Sequence, residues 1–380
     1  MPRSPLIAKL QPAPAQLVNW YGWEIPASYG SVETEYWALK RGAGLMDLSH
    51  RGRILVRGKD APRFLHGMVT NEVQGLKPGQ GNYAFLLDVH GHILADLRIF
   101  RLEQETFLLD CEPQLSEVIL AALDRHIISD MVELEDCRDQ FACLSLEGPS
   151  AREVLSRVVG HATGQASDFD LPEMNLLDHI YRDDMSVRIV HASLSGRAGY
   201  WILASPERVV EFWGSSLAES TTANQTSTHS PVTASVGVQP AGFEALEICR
   251  IEAGIPRYGI DITEKNLPQE TGQTQAISFT KGCYIGQEVV ERIRSRGHVN
   301  RKLVRLLFEG RQEVPPQTEI FSDGQPAGIT ASSVYSFGLQ RTVGLGYLRR
   351  EFADAGKQVM VGTLPAEIAE LSLASPAAVG

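Results

Sequence analysis

Residues 281–292 read KGCYIGQEVVER. Two glycines, Gly282 and Gly286, bracket Cys283 and Tyr284, so the backbone here is free to turn tightly and to approach another group closely. A thiol on such a turn is expected to be accessible. Lys281 precedes it by two residues and several arginines follow, and positive potential favours thiolate over thiol. Cys283 is therefore expected to be the reactive cysteine among five. Cys111, Cys143 and Cys249 lie in apolar strand or helix patterns and read as small buried hydrophobes, while Cys137 in EDCRD is uninformative.

Outward from this motif the charge is uneven. Between Lys281 and Arg305 seven basic side chains stand against two acidic ones, a local +5, in a chain of formal net charge −11. Such a run is expected to steer a polyanionic ligand or an acidic protein. The acidity of the whole opposes unspecific binding to nucleic acid or anionic membranes, and the run is almost free of aromatics for base stacking after Tyr284. Neither nucleic acid nor a membrane is expected as a partner. An odd number of cysteines with no CxxC pair predicts neither a disulfide framework nor a zinc or iron-sulfur cage, so no metal is expected and a reducing cytoplasm fits. No apolar run approaches the roughly 18 residues that span a bilayer. The opening MPRSPLIAKLQPAPAQ lacks a signal-peptide core and reads as a frayed terminus.

A length of 380 residues predicts two or three domains. From Gly52 the chain alternates short strands (GRILVRG, YAFLLD, ILADLRIF, TFLLD) with helical stretches near KDAPRFLHGMVTNEV and QLSEVILAALDRHI, which favours an α+β class. A second block from about Asp139 carries strands at FACLSLEG, SVRIVHA and GYWILAS and helices at SAREVLSRVV and PERVVEFWGSSL. The Ser/Thr-rich stretch 219–237 reads as a surface loop. A helix over AGFEALEICRIEAG follows. Past Asn300, LVRLLFEG, TEIFSDG, PAGITASSVYS and TVGLGYLRR read as strands of a small C-terminal β-barrel or sandwich, and EIAELSLASPAAVG is expected to fray.

The segment KGCYIGQEVVER resembles the signature K-G-C-[YF]-x-G-Q-E-x-x-x-R of YgfZ-type folate-binding proteins, matching at Lys281, Gly282, Cys283, Tyr284, Gly286, Gln287, Glu288 and Arg292. AGLMDLSHRGRILVRGKDAPRFLHGMVTNEV and CRIEAGIPRYGIDITEKNLPQE are similar to further parts of the glycine cleavage T-protein superfamily that contains them. The resemblance implies three domains around a central folate channel: a first domain from 1–51 and 139–297, the latter carrying the motif, a second from 52–138, and a barrel-like domain from 298–380. It further implies a tetrahydrofolate or one-carbon ligand, a role in assembly or repair of iron-sulfur proteins, and iron-sulfur enzymes or cluster-assembly proteins as partners. The alternative is an aminomethyltransferase-like enzyme that moves a one-carbon unit to or from tetrahydrofolate.

Under this resemblance Cys283, Lys281 and Asp96 are the candidate catalytic residues. Arg250, Tyr284, Gln287, Glu288, Arg292, Arg197 and Tyr200 are the candidate ligand contacts. Two departures bear on the alternative. Aminomethyltransferases carry adjacent acids where this chain has Ala95 and Asp96, and an alanine supplies no proton. They also carry acids where GRAGYWIL places Arg197 and Trp201, and a guanidinium only donates hydrogen bonds. Period two puts Asp96 and Arg98 on one strand face, where an ordinary ion pair competes with a catalytic role. Arg250, at the margin of an apolar helix, is expected to face either the ligand or Glu247.

Overall fold

The computed structural model describes residues 3–163, 169–180, 186–226 and 237–371. The chain opens with a hairpin, β1 (Gln16–Trp20) and β2 (Trp23–Ser28). Its two-residue turn has positive φ at Tyr21 (47°) and Gly22 (87°), the twist that antiparallel strands require. Next come α1 (Val32–Arg41), capped by the Ser31 hydroxyl, and β3 (Ala43–Asp47). The terminus before the hairpin is docked, not frayed. Leu6 and Leu10 are buried in the core with Ala43 and Leu144, and the Ser4 hydroxyl donates to Asp47.

From Gly52 follow β4 (Gly52–Arg57), α2 (Ala61–Met68), β5 (Gly81–Leu87), β6 (Ile93–Glu103), β7 (Thr106–Cys111), α3 (Ser116–Asp124) and β8 (Glu133–Asp136). The next block holds β9 (Ala142–Glu147), α4 (Ala151–Thr163), β10 (Leu176–Ile180), β11 (Ser186–His191), β12 (Gly199–Ala204), α5 (Pro206–Thr226), β13 (Val238–Pro240) and α6 (Phe243–Glu252). After a long connection with short 3-10 turns come α7 (Gln287–Arg296), β14 (Arg301–Phe308), β15 (Glu319–Ser322), β16 (Gln325–Ser336), β17 (Arg341–Arg349), β18 (Gln358–Val361) and β19 (Leu364–Ala369).

Two compact units emerge. One joins the first 51 residues to Cys137–Cys249, and the other joins Gly52–Asp136 to the chain from Arg250 through the last strand. The first unit is built on a six-stranded sheet, β10-β11-β12-β9-β3-β13, antiparallel except where β13 runs parallel to β3. All six residues of β9 are buried, and α4 and α5 pack on β9 and β12. In the second unit a five-stranded sheet, β5-β6-β7-β4-β8, stands beside a closed six-stranded barrel in which β19 returns to pair with β14. Closure leaves no open sheet edge. The class is α+β with a C-terminal barrel.

Three further expectations change. The block drawn from 139 to 297 divides at α6, and its motif-bearing end packs with the 52–136 segment through hydrogen bonds described below. The Ser/Thr-rich stretch begins as helix, because α5 runs to Thr226. No Gly or Pro interrupts AESTTANQT, and Ser and Thr cost only a few tenths of a kcal/mol each in a helix. Residues 227–236 lie outside those described. Finally, Glu367–Ala369, expected to fray, belong to β19, with Ile368 1% exposed inside the barrel. Among the described residues no helix is long and apolar enough to cross a membrane.

Candidate functional site

The motif loop caps the C-terminal end of α2. The last carbonyls of any helix lack intrahelical donors, and here the loop supplies them. The Lys281 ammonium donates to the carbonyls of His66, of Val69 at 2.6 Å and of Asn71 at 2.9 Å. The Ile285 amide donates to Gly67 O at 3.2 Å, and the Ser278 amide to Thr70 O at 2.9 Å. Burial lowers the Lys281 pKa to about 8, with Glu72 opposing the shift. Lys281 therefore mounts the loop, a role its position in the sequence does not show. Its ammonium is directed into the end of α2, where three carbonyls accept from it.

Gly286 turns the loop into α7 at φ +81°, a left-handed conformation costly for residues with a Cβ. A Cβ there would stand 2.7 Å from Asp88 O and 3.0 Å from Leu87 Cβ, so the loop lies directly on the end of β5. The β5–β6 turn is held from the other side too, since a Cβ on Gly91 would meet Val289 Cβ at 2.8 Å. Between these anchors Gly282 and Cys283 are exposed. The other four cysteines are buried, so the loop presents the one accessible thiol of the chain. The ring of His66 faces this exposed turn, its Nε2 3.8 Å from where a Cβ on Gly282 would be, and its Nδ1 lies 3.1 Å from Glu72 Oε1. Burial and the Lys281 charge lower the His66 pKa, against Glu72.

The other motif residues separate into two groups. Tyr284 points inward, 7% exposed, with its ring centroid 5.0 Å from Lys281 Nζ. Its hydroxyl has no hydrogen-bond partner among the described residues, and burial, aided by Glu291, pushes its pKa up to about 12. Gln287 is half-buried at the start of α7. Glu288 and Arg292 pair with each other at 2.6 Å on the exposed face of α7, an i,i+4 pair worth a few tenths of a kcal/mol. They do not converge on the inward-facing Tyr284.

Five of the seven cations of the basic run have separate partners. Lys281 is buried, Arg292 and Arg294 pair within α7, Arg301 pairs with Glu270 at 3.0 Å, and Arg305 donates to Glu252 O at 2.7 Å. Strand periodicity explains the last two. Arg301 and Arg305 share one face of β14, while Val304, Leu306 and Phe308 on the other fill the barrel.

On β6, burial alternates as expected, with Ala95 and Leu97 inward and Asp96 and Arg98 half-exposed. The Asp96 carboxylate accepts from the Tyr83 hydroxyl at 2.7 Å. No sequence motif marks Tyr83, yet the hairpin register places it diagonally from Asp96 on the same face. Arg250 also differs from expectation. It is 1% exposed and donates to Asp261 Oδ2 at 2.7 Å and Ile255 O at 3.1 Å, so it meets a buried acid of its own chain. Asp261 is further held by the Arg257 amide at 3.0 Å and the Ser332 hydroxyl at 2.6 Å. A buried guanidinium must be matched by an acid, and this acid lies eleven residues along the chain, beyond a turn that helical projection does not see.

In the first unit, the Glu147 carboxylate accepts from Ser145, from Ser193 at 2.8 Å and from the amides of Leu194 and Ser195, fixing the loop that leads to Arg197. Arg197 is half-buried, with no side-chain partner among the described residues. Tyr200 is corrected as a ligand contact. It is 3% exposed, its hydroxyl donates to Phe169 O at 3.0 Å, and its ring stacks on His191.

The barrel, the sheets and the capped motif loop define a class. Residues 6–281 match the GCVT N-terminal domain and residues 301–374 the glycine cleavage T-protein C-terminal barrel domain. The chain belongs to the glycine cleavage T-protein family. It is 29% identical over 363 residues to an aminomethyltransferase of Geobacillus kaustophilus, covering 94% of this chain and 93% of the relative. It is equally 29% identical to an aminomethyltransferase of Rubrobacter xylanophilus, covering 96% and 91%. The crystal structure of glycine cleavage system aminomethyltransferase T from Bartonella henselae superposes with a TM-score of 0.82 at 23% identity, covering 98% of this chain and 97% of that one, a likeness of fold.

Proposed function

We propose that this chain is a tetrahydrofolate-binding protein of the YgfZ type that supports assembly or repair of iron-sulfur proteins, with Cys283 as its working thiol. The observation that carries the reading is the presentation of that thiol. Lys281, Ile285 and Gly286 anchor the loop on α2 and β5, and only the Gly282–Cys283 tip is left in solvent while every other cysteine is buried. A rigidly mounted accessible thiol suits contact with a partner protein, and iron-sulfur clusters, as cargo, are ligated by thiolates.

Tetrahydrofolate fits the residues in part. The half-exposed Asp96 carboxylate is an acceptor suited to pterin N–H donors, and the orphaned Tyr284 hydroxyl is a buried polar atom in need of a partner. Arg250 and Tyr200 do not fit, since both are committed to protein partners. A bound folate would supply the one-carbon carrier.

The aminomethyltransferase reading is favoured by the names of the relatives and by the Tyr83–Asp96 pair. Against it stands Ala95, which is buried and cannot titrate. Equilibrium binding of tetrahydrofolate to the purified chain is the first test, with saturable binding expected. Cells that carry only Cys283→Ala are expected to lose activity of iron-sulfur enzymes. Folate-dependent ammonia release from an aminomethyl-lipoyl carrier protein, abolished by Asp96→Asn, would overturn the proposal in favour of the transferase.

A further inference from the structure

We propose that an open cleft in the second unit, between the α7–β14 connection and the end of β17, is a binding site for small organic oxyanions, with Arg349 and Arg350 as its recognition pair. The cleft measures about 760 Å³, within the range of about 300–1,000 Å³ usual for small-molecule sites, and is too large for a lone inorganic anion. His298, Asn300 and Arg301 supply one wall; Arg349, Arg350 and Glu351 supply the other.

Some of the charges lining the cleft are already matched. Glu270 in the wall is paired with Arg301 at 3.0 Å, and Asp354 with Lys357 at 2.7 Å. Arg301 is further committed to Lys265 O at 2.6 Å. Arg349 and Arg350 are exposed and have no acidic or carbonyl partner among the described residues, so two planar guanidinium groups line the cleft with no protein acceptor. That is the arrangement that grips carboxylate or phosphate through paired hydrogen bonds, and a concave wall concentrates the field. The backbone beneath them is fixed. Arg350 donates its amide to Asn300 O at 2.9 Å, joining the two walls, and its carbonyl accepts from the Ala353 amide at 3.2 Å. Glu351 is the remaining acid of the wall with no matched cation, and it disfavours anions that are charged all round. The ligand is therefore an organic molecule with its oxyanion at one end. This site shares none of its lining with Cys283 or Asp96 and does not depend on the folate reading.

The test is calorimetric titration of the full chain at constant ionic strength with two probes, glycerol 2-phosphate and 4-hydroxybutyrate. Saturable one-to-one binding of at least one is expected, and the tighter probe assigns the oxyanion as phosphate or carboxylate. In Arg349→Gln/Arg350→Gln the affinity is expected to fall about tenfold or more, the effect of losing charge-assisted hydrogen bonds. Glu351→Gln keeps both arginines and is expected to tighten binding. Absence of saturable heat with both probes, unchanged affinity in the double variant, or weaker binding in Glu351→Gln would each overturn the assignment.

Discussion

Replacing Lys281 by Met tests whether the motif lysine mounts the loop or acts on the thiol. Met keeps the length and the apolar stem but removes three donors, stranding the carbonyls of His66, Val69 and Asn71. Hydrogen bonds to a charged group contribute about 1.5–3 kcal/mol each, and an unsatisfied buried carbonyl costs about 1–3 kcal/mol. The ammonium's own desolvation, visible in its lowered pKa, offsets part of this. The expected net loss is about 2–4 kcal/mol, felt locally at the junction of loop and helix. Native-state hydrogen exchange reads it directly at the amides of Ser278 and Ile285, which donate to Thr70 O and Gly67 O. Their protection is expected to fall roughly 30- to 700-fold. Lys281→Arg is not expected to restore it, because a planar fork cannot point at three carbonyls grouped around one compact ammonium. Unchanged protection at both amides in Lys281→Met would refute the capping argument.

Other expectations follow from the same geometry. Lys281 carries a folded pKa of about 8 against an ordinary 10.5, so in that window the unfolded chain holds a proton the folded chain lacks. Its contribution to stability must then rise with pH from about 8 to 10.5, a gain that denaturation midpoints should show for the wild type relative to Lys281→Met. Gly286→Ala places a methyl group 2.7 Å from Asp88 O at φ +81°, and chemical denaturation should report a loss of about 2–3 kcal/mol. The buried Glu35 carboxylate accepts from the amides of Tyr29, Gly30 and Gly242 at 2.7–2.8 Å. In Glu35→Gln an amide group must face one of these donors, and the loss should be about 1–3 kcal/mol by the same assay. Iodoacetamide on the native chain should modify one thiol, and none in Cys283→Ser, since the other four are buried.

Strands with alternating or wholly apolar runs between turn residues, such as β6, β9, β12 and β14, were readable because their pattern follows the pleat. Those without such a pattern escaped. In β3 all five residues are buried, so AGLMD carries no period, and β8 (ELED) has a single apolar residue. The short β18 and β19 were hidden because membership of a closed barrel, rather than local propensity, orders them. The exposed thiol was legible for a local reason: two glycines mark the tight turn that carries it.

Side-chain partners were much less legible than elements, and the basic run 281–305 shows why. Counting charge along the chain treats seven cations as neighbours, yet the fold distributes them by direction. Lys281 goes into a helix end, Arg301 and Arg305 go to acceptors brought up by a distant connection and by α6, and Arg292 and Arg294 to acids one helical turn away. Arg349 and Arg350, which have no acidic or carbonyl partner among the described residues, come from a strand end some fifty residues later. A charge cluster in sequence therefore predicts a binding surface only after its members' internal obligations are met. By that criterion the basic run is no evidence for a field around Cys283. The role proposed for it rests on exposure and on the loop's anchoring.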